Sequence, residues 1–67
     1  MKVKAVLNNY MMGSRFHQTP IEKVVKQERI DSNHTEVIYE VVNEREQQSI
    51  EKMLYGASGK KMQKVED

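Results

Sequence analysis

The chain contains no cysteine, so neither a disulfide nor a thiolate metal site can brace it. Histidine is scarce, with only His17 and His34, too few for a structural zinc centre. Tryptophan is absent and aromatic residues make up 6% of the chain, so any core must be largely aliphatic. Proline occurs once, at Pro20, and glycine three times, so chain reversals must rely mainly on Asn, Asp and Ser. No apolar run approaches the ~18 residues of a membrane-spanning helix. The opening segment, Met1 to Asn8, is too short and too regularly alternating for a signal peptide. With cysteine missing as well, a soluble cytoplasmic protein is expected. No cofactor is expected.

These absences matter because the chain has only 67 residues. A core of this size rarely supplies more than ~3–5 kcal/mol. Disulfides and metals are excluded as reinforcement, which leaves self-association or simple marginal stability. A homo-oligomer is expected on size alone, and a homodimer through the sheet face that a single helix leaves uncovered.

What the chain does have is a β-hairpin running into a capped helix. Glu22–Ile30 reads as one strand, Asp31–His34 as a turn and Thr35–Val42 as a second strand, rich in β-branched residues. With Ser32-Asn33 at the tip, Ile30 would face Thr35, Arg29 would face Glu36 and Val24 would face Val41. One face then shows Val24, Ile30, Val37, Tyr39 and Val41, interrupted by Lys26 and Glu28. The other carries Val25, Ile38 and Val42 among polar residues, unusually apolar for a face in water. A one-residue slip would exchange the faces of one strand relative to the other.

Asn43 is a good helix N-cap, and Glu46 stands where a capping box needs an acid. Ile50, Met53 and Leu54 make a narrow apolar stripe, and Gly56 is a natural stop. Lys2 to Leu7 alternates as a strand does. Asn8-Asn9 then suggests a tight hairpin into a second strand around Tyr10 to Phe16, because a structureless loop from 8 to 20 would be long for a compact domain. The fold expected is α+β: a small antiparallel sheet of three or four strands, a meander, with one C-terminal helix packed on one face. Residues 1–56 form the domain and residues 57–67 read as a flexible polar tail.

Charge is small in sum, +1, but unevenly placed. Residues 1–30 carry six basic and two acidic side chains, whereas residues 31–51 carry one basic and six acidic. Internal complementarity, with basic strands lying beside an acidic one, is the simplest reading.

Catalytic patterns are thin. Gly56-Ala-Ser-Gly-Lys60 has the wrong spacing for a phosphate loop, follows a helix instead of a strand, and has Lys61 where Ser or Thr is required. Ser14 and His17 lack a third partner and a pocket. Glu36 and Glu40 share a strand face, where a solvated or lysine-paired role is ordinary. The chain is not expected to be an enzyme.

Two binding readings remain. The first is a small regulatory or accessory protein acting through protein–protein contact and self-association. Its candidate interface is Val25, Ile38 and Val42 on the leftover sheet face, with the apolar cluster Tyr10, Met11, Met12 and Phe16. The second is nucleic-acid binding by basic strands, through Lys2, Lys4, Arg15, Lys23, Lys26 and Arg29. A net charge of only +1 argues against the second.

Overall fold

The computed structural model describes residues 1–65. Strand β1 spans Lys2–Asn8 and is followed by a short helix α1, Asn9–Gly13. Single 3₁₀ turns at Arg15–Gln18 and Ile21–Lys23 lead into β2, Val24–Arg29. Strand β3 is His34–Glu40, helix α2 is Glu44–Tyr55, and β4 is Gln63–Val65. The strands form one four-stranded antiparallel sheet in the order β2-β3-β1-β4. The expected fold class is therefore present, with β1 inserted between β3 and β4. Among the described residues no helix is long and apolar enough to cross a membrane.

The core lies between one sheet face and α2. Val3, Ala5 and Leu7 of β1 alternate inward and meet Val37 and Tyr39 of β3, with Val41 just beyond. Ile50 and Leu54 of α2 close over them, joined by Phe16 and Met62. Met53 lies at the edge of the stripe and is exposed, whereas Gln47 is buried in its place. Tyr39 is the largest fully buried side chain. Thr19 donates its hydroxyl to the Phe16 carbonyl at 2.6 Å, so the 2.8 Å contact with the phenol must have Tyr39 as donor. Burial pushes the Tyr39 phenol above its ordinary pKa.

Three expectations are corrected. Residues 10–16 form no strand. Asn8 instead caps α1, its Oδ1 accepting from Met11 N at 2.9 Å. Asn9 latches the tip of the β2–β3 hairpin, donating from its backbone to Asn33 O and from Nδ2 to Ser32 O, both at 3.0 Å. An Asn pair serves as cap and latch as readily as turn, since each amide satisfies backbone groups that would otherwise be unpaired.

The hairpin register is also one residue off expectation. Arg29, not Ile30, faces Thr35, and Glu28, not Arg29, faces Glu36. The cause is Asp31, whose carboxylate accepts from Asn33 N at 2.7 Å and meets the His34 ring at 3.0 Å. That Asx-type turn closes the loop with Ile30 N donating to His34 O at 3.0 Å. The Asn33 amide foremost, with His34, holds the Asp31 carboxyl below the usual range. An irregularity between Val24 and Lys26 takes up the slack, leaving Val25 without a cross-strand partner. Ile30 is consequently exposed, not core.

The segment after Gly56 is the third correction. Met62 is buried in the core and residues 63–65 pair with β1, Lys4 opposite Gln63 and Lys2 opposite Val65. Glu51 on α2 holds this strand: its Oε2 accepts from Met62 N at 2.7 Å and from Gln47 Nε2 at 2.9 Å. Gln47 Nε2 also donates to Met62 O at 3.3 Å. Residues 66 and 67 of the expected tail lie outside the described residues.

Candidate interaction surface

Strand β2 is an outer strand, and every residue from Val25 to Arg29 is exposed. Ile30 N points inward to His34 O. Antiparallel alternation then turns the amides and carbonyls of Glu28 and Lys26 toward β3, and those of Gln27 and Arg29 toward solvent. Among the described residues the result is an unpaired backbone edge, the natural template for another strand. Val25 lies within β2, and Ile21 and Ile30 lie just before and just after it in the chain, each about half exposed.

The sheet face away from α2 is built differently. Ile38 is its centre, with Lys4 of β1 opposite on one side and Lys26 of β2 on the other. Both lysines reach past it to Glu36, at 3.7 and 3.6 Å. Their aliphatic stems flank the isoleucine, which is only 9% exposed although no helix covers it. Glu28 and Glu36 stand directly opposite each other, a like-charge pair. Lys26 offsets it by bridging to Glu28 at 3.5 Å. The complementarity between basic and acidic strands is thus internal. It extends to α2 through Lys23–Glu46 at 3.4 Å and Lys64–Glu44 at 3.3 Å.

The candidate interface residues do not form one patch. Phe16 is buried in the core, and Met11 and Met12 pack against it. Ile38 is shielded by lysine stems, so the leftover face is not an open apolar surface. Tyr10 and Val42 are exposed, at 75% and 74%, but near opposite ends of the β1–β3 ladder. Seven paired positions separate those ends by ~20 Å. Only Val25 lies on the outer strand. Close to it in the chain, Ile30 was expected on the core face because that depends on the register, and Ile21 was not singled out from sequence because it lies in a turn.

The basic residues are dispersed too. Lys2, Lys4 and Lys26 share the face away from α2, whereas Lys23 pairs with helix α2. Arg15 Nη1 donates to Leu54 O at 3.1 Å, capping the C-terminal end of α2. Arg29 Nη2 donates to Asn9 Oδ1 at 3.3 Å.

The remaining chemistry is committed elsewhere. Ser14 Oγ donates to Tyr10 O at 2.8 Å, and His17 stacks edge-on against Phe16. A cleft of about 280 Å³ lies between α2 and the following segment, lined by Glu51, Lys52, Gly56, Lys60 and Lys61 among others. Gly56, with φ +62°, ends the helix there by donating to Lys52 O. The negative end of the helix dipole therefore faces this loop, the wrong polarity for a phosphate cradle. Among the described residues no three His, Asp or Glu side chains gather as a metal site would need. Comparison with protein-family models, curated proteins and solved structures finds no match to this chain.

Proposed function

We propose that the protein is a non-enzymatic interaction module, a small cytoplasmic regulatory or accessory protein that binds protein through the outer strand β2. One observation carries this reading. A strand of six residues presents outward backbone groups, carries the half-exposed Val25, and has the half-exposed Ile21 and Ile30 close to its two ends. Strand addition uses that combination: main-chain hydrogen bonds supply affinity and flanking apolar contacts supply selectivity. The side chains that resemble catalytic partners, Ser14, His17, His34 and Glu36, are occupied in local contacts, which favours binding over chemistry.

The test is a proline on the edge. Gln27 turns its N–H to solvent, so Gln27→Pro removes an outward donor and leaves the β2–β3 ladder paired. Proteins retained from the native host by the wild-type chain should be lost from the variant, with its circular dichroism unchanged. Equal retention by both overturns the reading.

A further inference from the structure

We infer that the occupant of the β2 edge is the β2 edge of a second copy, paired antiparallel about Gln27; this deepens the reading of β2 as a binding strand and rests on it. The register follows from two constraints. Antiparallel pairing requires that outward-facing residues of one strand meet outward-facing residues of the other. In β2 these are Gln27 and Arg29, whereas Val25 sits at the irregularity where the alternation breaks. Allowed registers therefore differ by two residues, and three of them keep most of the strand paired. One places Lys26 opposite Lys26 of the second copy. Another places Glu28 opposite Glu28. The third centres on Gln27 and sets Lys26 opposite Glu28 twice over, with Val25 opposite Arg29. Only the third is free of like-charge opposition.

The surroundings of Glu28 agree with this register. Within one chain Glu28 stands opposite Glu36, and a single lysine, Lys26, is shared between the two carboxylates. In the Gln27-centred pair, each Glu28 gains the Lys26 of the other copy on its free side. Both residues lie on the face away from α2, as Ile38 and Glu36 do, so the new pairs extend the existing Lys4–Glu36–Lys26 network across the seam. The two-fold axis then runs perpendicular to the sheet. The two four-stranded sheets become one of eight, with both α2 helices on the same face.

Edge pairing buries little surface. The contact falls below the ~1,200 Å² of a standard interface, so association should be weak and concentration-dependent, with a micromolar or weaker dissociation constant.

Charge exchange tests the register. Lys26→Glu alone sets acid against acid across the seam, and Glu28→Lys alone sets base against base. Each should raise the dimer dissociation constant about tenfold, read by sedimentation between micromolar and millimolar concentration. Mixing the two single variants restores opposite charges at every facing position. The mixture should form a heterodimer at least as tight as the wild-type dimer, although each variant alone is largely monomeric. A general loss of folding moves all samples together and cannot produce that recovery. Thermal unfolding of each variant verifies its fold.

If the wild-type chain stays monomeric at millimolar concentration, or if the mixture gains nothing, self-pairing is overturned. The binding-strand reading falls separately, only if Gln27→Pro also leaves retention of other proteins unchanged.

Discussion

Removing the Glu51 carboxylate should release the C-terminal strand. Glu51 is buried and accepts from two donors, Met62 N at 2.7 Å and Gln47 Nε2 at 2.9 Å. In Glu51→Ala the Met62 amide loses its acceptor while its side chain still occupies the core. A buried donor left without a partner costs about 1–3 kcal/mol, and a carboxylate acceptor stands toward the upper end. Gln47 keeps one contact, to Met62 O, which limits the further loss. Relief of the buried carboxylate's own desolvation acts in the other direction. A net loss of about 2 kcal/mol is expected. Against a total of ~3–5 kcal/mol for a core of this size, that is a large fraction. It corresponds to a fall in Tm of roughly 8–16 °C. The two measurements are thermal unfolding and amide hydrogen exchange. The Met62 amide and the β4 amides should lose protection, while those in the middle of α2 keep theirs relative to the lowered global stability. Glu51→Gln should lie between wild type and Ala, because its amide oxygen can still accept from Met62. A Tm shift under about 2 °C with Met62 still protected would refute the clamp.

Three further outcomes follow from the geometry. Leu54→Ala empties a fully buried site at the centre of the α2–sheet contact, costing about 2–5 kcal/mol, so the variant should be largely unfolded at room temperature by circular dichroism. Tyr39 and Tyr55 both have pKa values raised chiefly by burial, so the folded state binds protons that the unfolded state releases near pH 10. The stability they contribute is therefore complete below that pH and is lost as pH rises through it; unfolding midpoints that hold steady well above pH 10 would contradict the assignment. Oligonucleotide titration at low salt should show at most weak, easily screened binding, since Lys4 and Lys26 are paired with Glu36 and Glu28; a steep salt slope that disappears in Lys4→Ala would revive the nucleic-acid reading.

Local pattern carried much of the architecture. The α2 boundaries were legible because its signals are contained within the helix: Asn43 Oδ1 accepts from Glu46 N at 3.0 Å, and Gly56 adopts the positive φ that ends it. The alternation of β1 and β3 identified Val3, Ala5, Leu7, Val37, Tyr39 and Val41 by their period of two, and each is buried. The opposition of basic and acidic strands followed from composition, and β1 and β2 do flank β3 with lysines.

The candidate surface was only half legible. Val25 could be read as an exposed aliphatic residue on the hairpin. That β2 is the outer strand could not, because strand order depends on β1 crossing to pair with β3, a contact between residues 26 to 38 positions apart. Nor could the register, which one side chain in the turn decides. Asp31 draws the loop closed at Ile30–His34, and the shift moves Ile30 to solvent and sets Lys26 and Glu28 beside Ile38.

The sequence by itself determined β1, the β2–β3 hairpin and α2, the apolar faces of β1, β3 and α2, and that neither disulfide nor thiolate site reinforces the small core. Those properties depend on side-chain period, capping chemistry and composition, all of them local. Tertiary structure alone decided the fate of Met62, the shielding of Ile38 and the freedom of the β2 edge. Each of these depends on a partner distant in the chain: Glu51 for Met62, two lysines on different strands for Ile38, and the place of β1 in the sheet for β2. A polar segment became a strand because one buried carboxylate accepts its amide. An apolar face became a charged one because lysine stems cover it while their amines remain in water.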